Sequence, residues 1–186
     1  MRDDLTNSLV HLTKGTGSDP AKHRAEAVET LENILTEKAL RGGTGFIKGG
    51  YRCVCFSEAP ISKLSYLLAA KDSAGFKYQP YGVMVQKKWL FERGGRPVIY
   101  GPEGEFSQLP EEMKYRHVRF WLGDYTVDHT WEREWRLRAD KLDLASSEIT
   151  VVIPDRMAKE AFDTHFGPNS WHYIVLSDLG VAIDAL

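Results

Sequence analysis

Apolar segments in this chain are short, and they recur from end to end with helical patterns between them. That arrangement restricts the fold more than any other feature. Leu9-Val10-His11-Leu12-Thr13 reads as a first strand, with Val10 and Leu12 on one face and Leu9, His11 and Thr13 on the other. Asp19 and Pro20 form an N-cap and first helical residue, and Val28, Leu31, Ile34 and Leu35 follow at helical spacing, so a helix is expected to stop near Leu40. Arg52 to Ser57 reads as a core strand. Pro60 then opens a helix with Ile61, Leu64, Leu67 and Leu68 on one stripe. Tyr81 to Val85 is a strand, Lys88 to Phe91 a helical turn, and Arg96 to Tyr100 a short strand in which Pro97 argues for a sheet edge or the strand's start. Pro110 to Leu122 reads as a helix, Trp131 to Arg138 and Ile149 to Ile153 as strands, Asp155 to Phe166 as a helix, and Tyr173 to Leu176 as the last strand. Uneven, short connections favour an α+β domain with a mixed or antiparallel sheet and flanking helices, spanning residues 1–186.

Composition excludes several classes. A hydrophobic share of 42% and a charged share of 27% are those of a folded globular protein. The net charge of −2 provides no global basic field for nucleic acid or an anionic membrane. No apolar stretch reaches the length of a membrane span, and the N-terminus is polar from the start, so a cytoplasmic protein without membrane contact is expected. Cys53 and Cys55 share a strand face and read as buried thiols. The scattered histidines His23, His117, His129, His165 and His172 show no ligand spacing, and no metal site is expected.

Chemistry concentrates in Glu132-Arg133-Glu134-Trp135-Arg136. On a straight strand Glu132, Glu134, Arg136 and Arg138 share a face. Two neighbouring carboxylates suit acid/base work or the stabilisation of an oxocarbenium ion; the same pattern also describes a solvated charged strand face. His11 and Thr13 could hydrogen-bond a ribose or serve the core. Ser57-Glu58-Ala59-Pro60 lies where a strand passes into a helix, either a ligand-binding turn or a cap. Gly42-Gly43-Thr44-Gly45 lacks the Lys-Ser/Thr ending of a triphosphate-binding loop, and no Gly-x-Ser-x-Gly elbow exists.

The order of these landmarks carries a resemblance. Leu9 to Thr13, Arg52 to Pro60, Tyr81 to Trp89, Gly95 to Tyr100 and Trp131 to Arg136 together resemble the AbiGi family of abortive phage-resistance proteins. More distantly, His11-Leu12-Thr13 and Glu134-Trp135 are similar to DarT-type ADP-ribosyltransferases. The resemblance implies a split sheet of the ADP-ribosyltransferase type, with NAD as substrate in its cleft. It implies that His11, Thr13 and Ser57 line the NAD site, that Tyr51 or Tyr66 stacks on nicotinamide, and that Glu134 stabilises the transition state while Glu132 activates the acceptor. A defence-system protein partner and a protein or nucleic-acid acceptor follow from the same likeness. Two alternatives stand beside it: a non-catalytic antitoxin or regulatory binding module, and a Mg-dependent nuclease using Glu58, Glu132 and Glu134.

Overall fold

Leu9, Val83, Val151, Val152 and Ile153 have no exposed surface, and they sit on neighbouring strands, so the core is built on a sheet. The computed structural model describes residues 6–15, 19–58, 60, 64, 68, 71–72, 75–76 and 78–181. The strands are β1 (Ser8–Leu12), β2 (Ala39–Arg41), β3 (Cys53–Ser57), β4 (Lys71–Asp72), β5 (Gly75–Phe76), β6 (Gly82–Gln86), β7 (Arg96–Pro97) and β8 (Ile99–Gly101). They continue with β9 (His117–Arg119), β10 (Trp121–Leu122), β11 (Thr126–Val127), β12 (Glu134–Arg138), β13 (Lys141–Asp143), β14 (Ile149–Ile153) and β15 (Tyr173–Val175). The helices are α1 (Pro20–Glu37), α2 (Lys87–Glu92) and α3 (Arg156–Phe166).

The main sheet runs β15-β14-β6-β1-β3-β12-β7. Only the β14–β15 pair is parallel; the other neighbours are antiparallel. The α+β class and the mainly antiparallel sheet expected from the sequence are therefore present. Pro97 lies on the edge strand β7, where its missing N–H costs no ladder bond.

Both sheet faces are covered. On one face α1 brings Leu31, Ile34 and Leu35, and α3 brings Phe162, against Leu9, Val54, Phe56 and Trp135. Burying a Leu or Phe in this way contributes about 2 kcal/mol relative to leaving it exposed. On the other face Val10, Leu12, Met84 and Val152 meet Leu64, Leu68 and Leu176. Further along that second face, Cys53 and Cys55 pack with Ile47, Tyr51 and Tyr115.

Local signals account for most boundaries. Asp19 caps α1 by accepting from the Ala21 amide at 3.0 Å, and Asp155 caps α3 by accepting from the Ala158 amide at 2.8 Å. α1 ends at Glu37, earlier than the periodicity suggests. Lys38 turns left-handed, and Ala39 to Arg41 leave the helix to pair with β13, which buries Leu40 against Leu142. The helix expected from Pro60 lies outside the described residues except at Leu64 and Leu68, both helical and buried. Tyr66 also lies outside them.

The helix expected over Pro110 to Leu122 does not form. Lys114–Arg116 is a single 3-10 turn, β9 follows in parallel with β8, and Trp121 and Leu122 open a small ribbon with β11. Tertiary hydrogen bonds explain the difference. Arg136 donates from one NH1 to the Tyr115 carbonyl at 2.8 Å and the His117 carbonyl at 3.2 Å, acceptors that a helix would have used for itself. His117 donates from Nε2 to the Pro102 carbonyl at 3.1 Å, which fixes the segment to the start of the preceding turn.

Candidate functional site

The straight strand expected from Trp131 to Arg138 is broken at Arg133. Thr130–Glu132 is a 3-10 turn, Arg133 has φ 45° and ψ 51°, and the strand begins only at Glu134. Non-glycine residues rarely occupy this left-handed region. The kink has visible support. The Glu58 amide donates to the Arg133 carbonyl at 3.1 Å, and an Arg133 NH2 donates to Glu58 Oε1 at 3.2 Å. Glu58, only 7% exposed, also accepts from Lys87 Nζ at 2.7 Å and from Trp135 Nε1 at 2.8 Å. A buried carboxylate with this many charged and polar donors is well compensated.

Beyond the kink, Glu134 and Arg136 point to the same face of β12. Arg136 grips Glu134 with two parallel bonds, Nε to Oε1 at 2.8 Å and NH2 to Oε2 at 3.0 Å. Burial opposes the Arg136 charge, but the hydrogen bonds and the negative charge of Glu134 outweigh it and raise the guanidinium pKa further. Glu132, buried beside this pair, accepts from Tyr78 Oη at 3.2 Å, and its other oxygen lies 3.8 Å from His129 Nδ1. Ser57 Oγ donates to the Glu132 carbonyl. Tyr100 Oη accepts the Glu134 amide at 3.3 Å and donates to the His129 carbonyl at 3.2 Å. Burial, then the charge of Glu132, pushes the Tyr78 phenol up, and burial raises Tyr100 to about 12. Both phenols are therefore neutral donors across the physiological range. The site combines two carboxylates with two phenols and an imidazole at one end of the β3–β12 pair.

The registers locate it in the sheet. Val10, Ser57 and Glu134 form one row on one face, through the pairs Val10↔Ser57 and Ser57↔Glu134. β1 and β3 share that register pair alone, whereas β1 and β6 remain paired from Ser8↔Gln86 to Leu12↔Gly82. His11 stands next along β1 on the opposite face, edge-on to Phe56 with ring centroids 5.8 Å apart. It donates from Nδ1 to the Cys55 carbonyl at 2.7 Å, where β1 and β3 part. Burial lowers the His11 pKa, partly offset by that bond. His11 and Glu134 thus flank β3 but leave the sheet from opposite faces.

The remaining expected residues divide between site and scaffold. Thr13 is 2% exposed and donates from Oγ1 to the Tyr81 carbonyl at 3.1 Å, so its hydroxyl is spent inside the fold. Tyr51 donates to Glu111 and lies under the Arg138 guanidinium, 4.8 Å from its ring centroid, along the same face as Glu134 but past Cys53. Glu58 belongs to the opposite side of the kink from Glu132 and Glu134, and both its oxygens are taken. Among the described residues no group of three or more His, Cys, Asp or Glu is placed to hold a metal ion. No helix among them is long and apolar enough to cross a membrane.

Sequence patterns missed Tyr78, His129 and the site role of Tyr100. Tyr100 closes the Gly95 to Tyr100 landmark, so a signal for it existed; Tyr78 and His129 stand in segments without periodicity. A separate cavity of about 500 Å³ opens between α3 and β15, bordered by Arg156, Lys159, Trp171, Tyr173 and Asp178. Arg156 pairs with Asp178 at 3.1 Å and Lys159 pairs with Asp163, so both of these cations are compensated within its own rim. It lies five strand positions from β12, roughly 24 Å away at the usual interstrand spacing, and takes no part in the carboxylate site. Comparison with protein-family models, with curated proteins and with solved structures finds no match.

Proposed function

We propose that this protein cleaves NAD at the nicotinamide ribose and transfers ADP-ribose to a macromolecular acceptor, in a phage-defence or toxin–antitoxin setting. The observation that carries the reading is that Tyr78 bonds Glu132 and also feels the charge of Glu134, which stands in the Val10–Ser57–Glu134 row of the sheet. The order of sequence landmarks described above supports it independently. In this reading Glu134, oriented by Arg136, accepts the 2′-hydroxyl of the nicotinamide ribose and stabilises positive charge on the sugar. The C–N glycosidic bond breaks and its electron pair leaves with nicotinamide. The acceptor nucleophile then forms the new bond to the same carbon, and Glu132 takes the acceptor's proton. Water as acceptor would make the protein an NAD glycohydrolase. Tyr78 and Tyr100 serve as neutral donors at the rim. Thr13 supports the strand beneath the site rather than holding ribose, because its hydroxyl donates to the Tyr81 carbonyl, and His11 is anchored there through Nδ1 to the Cys55 carbonyl. Incubation with NAD and chromatography of free nicotinamide tests the reading. The wild-type protein should release nicotinamide, and Glu134→Gln and Glu132→Gln should each lower release by about 100-fold. Absence of release from the wild type, or equal release from all three, overturns it.

One observation favours a second reading. Both Glu134 oxygens are already bound by Arg136, as in a structural ion pair, and this suits a non-catalytic antitoxin or regulatory module that keeps the fold without turnover. That reading requires no NAD consumption and a stable complex on co-purification with the product of a neighbouring gene.

A further inference from the structure

We propose that Glu58 is a positioning residue that sets the mutual placement of Glu132 and Glu134 by holding Arg133 in its left-handed conformation. The inference rests on the carboxylate site described above. Glu58 acts on the residues that flank Glu134. It binds the Arg133 guanidinium at 3.2 Å, its own amide binds the Arg133 carbonyl at 3.1 Å, and its second oxygen holds Trp135 at 2.8 Å. The residues on both sides of Glu134 are therefore tied to one buried carboxylate. Lys87, at 2.7 Å, ties the same carboxylate to the start of α2, directly after β6. The conformation matters because residues two apart on an uninterrupted strand project in parallel, and here the left-handed Arg133 interrupts the strand between them. The left-handed residue turns Glu132 back into the protein toward Tyr78 and His129, while Glu134 continues along β12 to Arg136.

A comparison of Arg133→Gly with Arg133→Ala separates the conformation from the guanidinium. Both remove the ion pair; only glycine enters the left-handed region without cost, and alanine's penalty there corresponds to about tenfold in population. Hydrogen exchange reports the geometry without any ligand, through the Glu134 amide bonded to Tyr100 and the Glu58 amide bonded to Arg133. Arg133→Gly should keep protection at both amides. Arg133→Ala should lose about tenfold at these two while the inner β12 amides stay protected. Glu58→Gln should behave as Arg133→Ala does, and adding Arg133→Gly to it should restore protection. NAD turnover, where the wild type shows it, should follow the same order. Equal exchange in the Gly and Ala variants, or unchanged exchange in Glu58→Gln, overturns the proposal. A wild type without turnover overturns only the NAD reading, since exchange still decides this one.

Discussion

Arg136 holds the Glu134 carboxylate in a two-point grip while its remaining nitrogen reaches the Tyr115 and His117 carbonyls. One guanidinium thus joins the site to the segment that covers it. Arg136 is 6% exposed, so its loss leaves the half-buried Glu134 carboxylate without its cation and the Tyr115 and His117 carbonyls short of a donor. Arg136→Met should destabilise the protein by about 3 kcal/mol or more, read as the shift in urea midpoint at constant slope. A change within experimental error would show that the pair is dispensable.

Stability should fall as the solution is acidified, through His11. Burial lowers its folded-state pKa below the ordinary histidine value of about 6.5, so the unfolded chain binds the proton more readily. The contribution is fully present above pH 6.5 and is lost as pH falls from there toward the lower folded-state value. Urea midpoints measured at pH 7.5 and at successive steps down to pH 5 should decline, and His11→Gln should flatten the decline. An identical slope in the variant would assign the effect to other groups.

Cys55 should resist alkylation in the native state. Burial, reinforced by the negative charge of Glu134, pushes its thiol well above the ordinary range, so almost no thiolate exists at pH 8. Burial raises Cys53 as well. Iodoacetamide followed by mass spectrometry should label both only after denaturation. Prompt labelling of Cys55 in the folded protein would contradict the packing around Glu134.

Gly82 lies in the middle of the sheet between β1 and β14, and a Cβ there would overlap the His11 carbonyl oxygen. Backbone on both sides cannot yield as a flexible side chain would. Gly82→Ala should cost about 3 kcal/mol or abolish folding, checked by circular dichroism and thermal midpoint. Wild-type stability in this variant would mean that β1 and β6 are less closely paired than described.

Much of the scaffold follows from local rules that residues obey wherever they stand. The strands β3, β6 and β14 are apolar and β-rich. Asp19-Pro20 and Asp155 start helices because an unpaired amide needs an acceptor, and Pro97 can only serve an edge. The pair Glu132 and Glu134 was legible for the same reason, as charge concentrated in a strand-like segment.

What tertiary structure decided is where those local rules gave way. Nothing in Glu132-Arg133-Glu134 announces a left-handed residue; Glu58, distant in sequence, supplies the donors and acceptors that stabilise it. The amphipathic stretch Pro110 to Leu122 is extended at β9 because Arg136 occupies the carbonyls of Tyr115 and His117. Thr13 and His11 look like ligand contacts in one dimension and are core hydrogen bonds in three. Sequence by itself determined most of the strands, the capped helices α1 and α3, and which residues carry charge. Only the fold determined how Glu132 and Glu134 are placed, because long-range hydrogen bonds to a single buried group outweigh the small intrinsic preferences of the backbone around it.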